Sequence, residues 1–216
     1  MRGIPVILAL AGLAWSAAAA GHQAPAPNAT KATGTLPDGW KARPDDPAAK
    51  PDSLHVSAEK DSLTFASGPA AIYYKPDAKA EKGYTVSATF SQLKPTPQPQ
   101  PYGLFVGGAD LDKDTARYTA LLIRADGQYQ ISTWSGGKAT VVVAWTRAAA
   151  MADPKGVKTS NTLMIRALDS TVHFLIGERD VHQMPRAKAG ADGIAGIRIG
   201  SGLNVQVDRF DVKKLP

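Results

Sequence analysis

The chain has 216 residues, no cysteine, and 25 Lys and Arg against 19 Asp and Glu, a formal net charge of +6. The absence of thiols excludes cysteine nucleophiles, cysteine-bound zinc and iron–sulfur clusters, and leaves a buried core rather than disulfides to hold the fold. The basic residues are scattered, with no basic helix or basic-aromatic motif, so the charge favours anionic partners such as acidic glycans or envelope surfaces and not nucleic acid.

Residues 1–20 carry one charge near the start, Arg2, then an apolar stretch from Ile4 to Trp15 and a tail of small residues. Ala18-x-Ala20 before Gly21 fits a signal-peptidase site, so the expected mature protein begins near Gly21 and works in the periplasm or outside the cell. The apolar stretch is too short to span a bilayer comfortably, and no transmembrane segment is expected later. With no Cys there is no lipid-attachment residue, and a lone Arg2 is not a twin-arginine signal. Residues 21–50, rich in Ala, Pro, Thr and Lys, are expected to be a flexible linker. Within it, Leu36-Pro37-Asp38-Gly39-Trp40 is where the chain should first touch the domain, assigned to 51–216.

From there the sequence is all-β in character. Alternating segments at 54–58, 62–66, 70–74, 84–93, 102–108, 117–125, 128–134, 139–145, 161–168, 171–176, 194–199 and 204–212 are separated by Gly, Asp-Gly and Gly-Gly turns, the pattern of a sandwich or barrel. The Pro-rich stretch 94–101 reads as a stiff surface loop. Ala148–Ala152 reads as one helical turn.

Asp126-Gly127 and Gly136-Gly137 are two-residue hairpin signals. A two-residue loop at Asp126-Gly127 opposes Ala125 to Gln128 and Leu122 to Ile131. One face then carries Tyr118, Ala120, Leu122, Tyr129, Ile131 and Thr133 toward the core. The other carries Arg117, Thr119, Leu121, Ile123, Gln128, Gln130, Ser132 and Trp134. Continuing through Gly136-Gly137 adds Val141, Val143 and Trp145 to this mixed face. A second hairpin turning at Asp169-Ser170 opposes Arg166 to His173 and sends Leu163, Ile165, Val172, Phe174 and Ile176 inward. A semi-polar sheet face with two Trp, Gln, Arg and His suits sugars, which stack on aromatic faces and hydrogen-bond to planar amide and guanidinium groups.

The segments 68–74, 84–90, 102–108, 126–131, 161–166 and 205–212, in that order, resemble uncharacterised exported bacterial proteins with a concanavalin-A-like lectin/glucanase (laminin-G-like) sandwich domain. The likeness runs from about Leu36 onward. It implies a jelly-roll β-sandwich of two antiparallel sheets, in a superfamily that includes lectins, glycosidases and plain interaction domains. Its family-16-type glycosidases carry Glu-x-Asp-x-x-Glu on one strand. Here the three glutamates, Glu59, Glu81 and Glu178, each sit in or beside an expected turn, without a partner carboxylate two residues away. A two-carboxylate mechanism needs its pair on rigid elements at a set separation.

Asp110, Asp112 and Asp114 alternate as in the opening of a calcium loop. The glycine and bidentate-glutamate positions of that loop hold Thr115 and Leu121, and Lys113 interrupts the acids, so no metal or other cofactor is expected, calcium being the one candidate. The four His are dispersed, and no Gly-x-Ser-x-Gly elbow supplies a nucleophile. The sequence therefore points to an exported, non-catalytic module for envelope or extracellular carbohydrate, with Arg117, Gln128, Gln130, Trp134, Trp145, Arg166 and His173 as its ligand-binding candidates. The alternatives are a structural or protein-interaction domain of the envelope without a sugar site, and a glycoside hydrolase working through Asp110, Asp112 and Asp208.

Overall fold

The computed structural model describes residues 36–151 and 160–216. The expected leader and the first part of the linker lie outside the described residues. Among those described are fourteen strands: β1 (Lys41–Pro44), β2 (His55–Glu59), β3 (Ser62–Ala66), β4 (Ala71–Ala80), β5 (Tyr84–Gln92), β6 (Tyr102–Ala109), β7 (Arg117–Ile123), β8 (Gln128–Ser135), β9 (Lys138–Arg147), β10 (Ser160–Ala167), β11 (Thr171–Ile176), β12 (Arg179–Pro185), β13 (Gly193–Ile199) and β14 (Asn204–Lys214). One short helix, α1 (Arg186–Ala189), joins β12 to β13.

The strands form two antiparallel sheets of seven. Sheet A runs β1-β4-β13-β6-β7-β8-β9 and sheet B runs β12-β11-β10-β5-β14-β3-β2. Sheet B follows the period-two rule: Tyr84, Val86, Ala88 and Phe90 of β5 are buried while Thr85, Ser87 and Thr89 between them are only half-buried. Leu163 and Ile165 of β10 and Val172, Phe174 and Ile176 of β11 meet them in the core, the inward set expected from the sequence. Arg166 pairs with His173 as expected, because Asp169-Ser170 closes a true two-residue turn.

Sheet A departs from that rule. Every residue of β7 after Arg117 is buried, and β6 is buried except at Ala109. Such strands, covered on both sides, lose alternation as a guide to facing. Behind the main core, Ile72, Tyr74, Phe105, Leu111, Tyr118, Ala120 and Leu122 form a second apolar cluster on the outer face, with Trp134, Trp145 and Ile194 packed against it.

The facing expected around Asp126-Gly127 is corrected by one residue. The loop holds three residues, with Arg124 N–H donating to Gln128 O and Gly127 at φ 80°. Leu121 therefore opposes Ile131, and Tyr118 opposes Trp134. A positive-φ Gly ending a turn makes a bulged three-residue hairpin, which shifts the partner strand by one. Tyr118, Ala120 and Leu122 move to the outer face, while Arg117, Thr119, Leu121 and Ile123 take the core-directed side. Gln128, Gln130, Ser132 and Trp134 stay on the outer face.

Two further bulges in β9 split the next expectation. Ser132 opposes Val141 but Ile131 opposes Val143. Val141 is thus outward, Val143 packs on the main core, and a second shift returns Trp145 to the outer cluster. Lys41–Pro44, inside the expected linker, pairs with Tyr74–Ala71 as an edge strand, since hydrogen bonds to β4 need no apolar pattern in β1. The turn at Ala148 is closed by Met151 N–H to Ala148 O, and the described helix lies instead at 186–189. No helix among the described residues is long and apolar enough to cross a membrane.

Candidate functional site

On the outer face of sheet A one row runs Tyr74, Gly196, Phe105, Ala120 and Ser132, so small residues stand among large ones. Gly196 of β13, Ala120 of β7 and Ser132 of β8 form a floor, and a side chain at Gly196 would collide with the Phe105 ring. Phe105 stands beside Tyr118, ring centroids 5.0 Å apart, and Tyr118 stacks on Trp134 at 5.6 Å and 12°. The Arg198 guanidinium lies 4.1 Å over the Trp134 ring. Arg198 Nη1 donates to the Tyr118 hydroxyl at 2.9 Å, so Arg198 and Tyr118 contact the same side of the indole. The opposite side meets no other ring or cation among the described residues. Trp134 Nε1 donates to Ser132 Oγ at 3.0 Å, which fixes the rotation of the ring.

Arg198 is itself held hard. Only 5% of it is exposed, and its two terminal nitrogens reach both oxygens of Asp45, one at 2.9 Å. Burial works against its charge, and its hydrogen bonds to Asp45 and the neighbouring Tyr118 more than offset that, so the guanidinium stays charged. Burial pushes the Tyr118 phenol well above its ordinary value, which keeps the hydroxyl neutral to accept from Arg198. The result is a half-buried tryptophan held by an ion-paired arginine, a stacked tyrosine and a serine hydroxyl.

Around this platform the sequence candidates fall into two groups. Gln130 is half-buried opposite Leu122, Gln128 begins the same strand face, and Trp145 lies beside Gln130 with the Arg124 guanidinium 4.1 Å over its ring. Arg124 is anchored to Asp126 at 2.8 Å. Trp134 and Gln130 are four residues apart on β8, so their backbone positions lie about 13 Å apart along the strand. Arg117 is off this face, opposite Ser135, yet it borders with Trp134, Thr133 and Lys188 a depression of about 190 Å³ against α1.

Arg166 and His173 are adjacent to each other on the outer face of sheet B, across the sandwich from Trp134. His173 Nδ1 contacts Asp180 Oδ2 at 2.5 Å and its Nε2 lies 3.2 Å from Thr171 Oγ1. Elsewhere on that face Thr89 and Thr162 share a hydrogen bond, as do Ser91 and Ser160.

Two acids of the segment after β6 are paired with cations. Asp110 accepts from Lys113 Nζ at 2.9 Å, which holds its carboxyl below the usual range, and Arg43 lies 3.5 Å from Asp114. Among the described residues no group of three His, Cys, Asp or Glu converges to hold a metal. Asp208 lies on sheet B, bonded by Ser62 and Gln206, and does not face Asp110 or Asp112 across a groove. The support residues Tyr118, Arg198 and Asp45 were not among the sequence candidates. Nothing in the local sequence of any one of them points to the others.

No protein-family model matches the chain, and no curated protein matches it. Solved structures do. A carbohydrate-binding module, CBM66, from Bacillus subtilis superposes with a TM-score of 0.62 at 11% identity, covering 82% of this chain and 96% of that one. A Bacillus subtilis protein of unknown function with a galectin-like fold gives 0.57 at 14% identity, covering 81% and 89%. A Bacillus licheniformis beta-glucanase gives 0.55 at 8% identity, covering 86% and 97%. These likenesses establish the fold as a concanavalin-A-like jelly-roll sandwich.

Proposed function

We propose that this protein is a non-catalytic carbohydrate-binding module that works outside the cytoplasm after removal of its leader near Gly21. The observation that carries the reading is the posture of Trp134. A sugar ring stacks best on an aromatic face that is already immobile, because little conformational freedom is then lost on binding. Tyr118, Arg198 and Ser132 hold that ring from one side and along one edge. Farther along the same strand face Gln130 and Gln128 supply amides, and Trp145 offers a second indole near them. The carbohydrate-binding module among the structural neighbours supports the same reading at the level of fold. In the glycosidase branch of the resemblance the chemistry depends on paired carboxylates, and Asp208 on sheet B does not face Asp110 or Asp112 to form such a pair.

The experiment is a glycan array on the mature protein, followed by titration of the best polysaccharide against Trp134→Ala. Removing a central aromatic anchor costs about 2 kcal/mol or more, roughly thirtyfold in affinity. A folded Trp134→Ala protein with undiminished affinity refutes the platform. A second reading, a protein-interaction domain, draws on one observation: Val141 is 53% exposed and Val142 38% on β9, beside Trp145. An array blank for every glycan favours it.

A further inference from the structure

A second cleft, of about 430 Å³, opens elsewhere on the sandwich and shares no residue with the Trp134 platform. Its lining converges from four distant parts of the chain: Trp40 just before β1, the β2–β3 turn at Lys60 and Asp61, Lys75 in β4, and Arg209 to Asp211 in β14. Sheets A and B both contribute, so the cleft exists only in the folded protein.

The geometry there is specific. Phe210 braces Trp40 at a centroid distance of 5.5 Å and 58°, and Lys75 Nζ lies 5.7 Å over the Trp40 ring. In β14, Asp208 opposes Thr89 and Asp211 opposes Ser87, which leaves Arg209 and Phe210 across from Ala88 alone. Such a bulge re-aims side chains: Phe210 packs toward the core and Trp40, and Arg209 is left exposed at the cleft. Lys60 and Arg209 adopt φ of 52° and 54°, a left-handed backbone that non-glycine residues seldom take. Arg209 N–H donates to Asp61 O at 2.9 Å, tying the bulge to the turn so that both cations ride on one piece of backbone.

Charge completes the picture. Lys60, Lys75 and Arg209 make no ion pair with any described residue. Of the two acids lining the cleft, Asp211 is already paired with Lys213 at 2.8 Å, which leaves Asp61 as its single unpaired carboxylate. Three unpaired cations ringing an aromatic wall make a poor cradle for a neutral sugar and a good one for an acidic sugar. The ring is met by the indole, and the acid group by a guanidinium able to grip it with two parallel hydrogen bonds.

We infer that the Trp40 cleft binds an anionic sugar residue, its ring against Trp40 and its carboxylate or sulfate among Lys60, Lys75 and Arg209. The inference rests on the carbohydrate-binding reading but on a different surface from Trp134. The test uses the mature protein with pectate, alginate and dextran sulfate as acidic probes, and dextran and a mixed-linkage glucan as neutral ones. The paired substitution Lys60→Gly, Arg209→Gly removes both cations while suiting the left-handed backbone.

Acidic probes should bind the wild type with an affinity that falls as salt is raised. The paired variant should bind them at least tenfold more weakly and with a shallower salt dependence. Its binding of neutral glucan should be unchanged, whereas Trp134→Ala should lose the neutral glucan. Preference for pectate and alginate would identify the acid as carboxylate, and preference for dextran sulfate as sulfate; either supports the inference. Acidic binding that survives in the paired variant overturns it. Neutral binding without acidic binding overturns it and leaves the Trp134 reading standing, while no binding of any probe ends both. Should the paired variant unfold, Lys75→Met must show the same selective loss, or the inference falls.

Discussion

Removing Asp45 should harm the protein more than removing Arg198, although the two are partners in one ion pair. Arg198 is 5% exposed, while the Asp45 side chain is 41% exposed. Asp45→Ala strips the carboxylate from a guanidinium that water cannot reach, leaving it only the Tyr118 hydroxyl and the Trp134 face. Breaking a fully buried pair in this way costs about 3–5 kcal/mol. Water can enter the space that Asp45 vacates, so the expected cost is nearer 2 kcal/mol, or about 4–8 °C in melting temperature for a domain of this size. Arg198→Met keeps an unbranched stem against Trp134 and releases Asp45 to solvent, so about 1 kcal/mol or less is expected. Thermal and urea unfolding of both variants and the double variant measure the asymmetry. The double variant should resemble Arg198→Met, since the stranded charge is then gone. If Arg198→Met is the costlier change, or Asp45→Ala is silent, the account of the support under Trp134 is wrong.

Gly196→Ala should destabilise by about 2–3 kcal/mol, because its new methyl would sit 2.4 Å from Tyr73 O and 2.5 Å from the Phe105 ring, an overpacking that backbone atoms cannot relieve; a stability within error of wild type would show that the floor can yield. Calcium at millimolar concentration, or a chelator, should leave the melting temperature unmoved, since Asp110 already holds Lys113; a calcium-dependent rise lost in Asp112→Ala would overturn that. Asp192 is held below the usual carboxylate range by its hydrogen bond from Arg186. Its contribution is complete above the unfolded carboxylate value near pH 4 and is lost as pH falls through the lower folded value. Asp192→Asn should therefore flatten the acid limb of a urea-midpoint profile, and an unchanged limb would remove this pair from the account.

The sheet B half of the fold could be read from the sequence because its strands are buried on one side only. Leu163, Ile165, Phe174 and Ile176 keep a period of two although Met164 and Leu175 stand between them, and the Asp169-Ser170 turn fixes their register. Sheet A resisted because Tyr118 to Ile123 is apolar on both sides, so periodicity cannot say which side is which. The decision fell to a turn, and Asp-Gly serves both the two-residue loop and the bulged loop found here. Strand β12, Arg-Asp-Val-His-Gln-Met-Pro, was missed because an edge strand is held by backbone hydrogen bonds to β11 and needs little apolar pattern. Trp134, Gln130 and Trp145 were within reach as residues with a stacking and hydrogen-bonding face. Their support was not, because Asp45, Tyr118 and Arg198 are separated by 153 positions end to end and meet only through sheet pairing. The Trp40 cleft has the same origin, and a bulge at Arg209 has no reliable signature in residue type.

The irregular pairing of β9 bears on how the molecule behaves in a crowd. This strand is the last in its sheet, and its central run Thr140-Val-Val-Val-Ala144 is uncharged, branched and largely exposed. A straight edge of that composition would recruit the same edge of a second copy, and then a third, by main-chain hydrogen bonding. The extra residues at Val142 and near Trp145 break the row of free amide and carbonyl groups, so an incoming strand finds no continuous register to extend. Excising Val142 would straighten the first part of that edge and offer a second copy a continuous row to pair with.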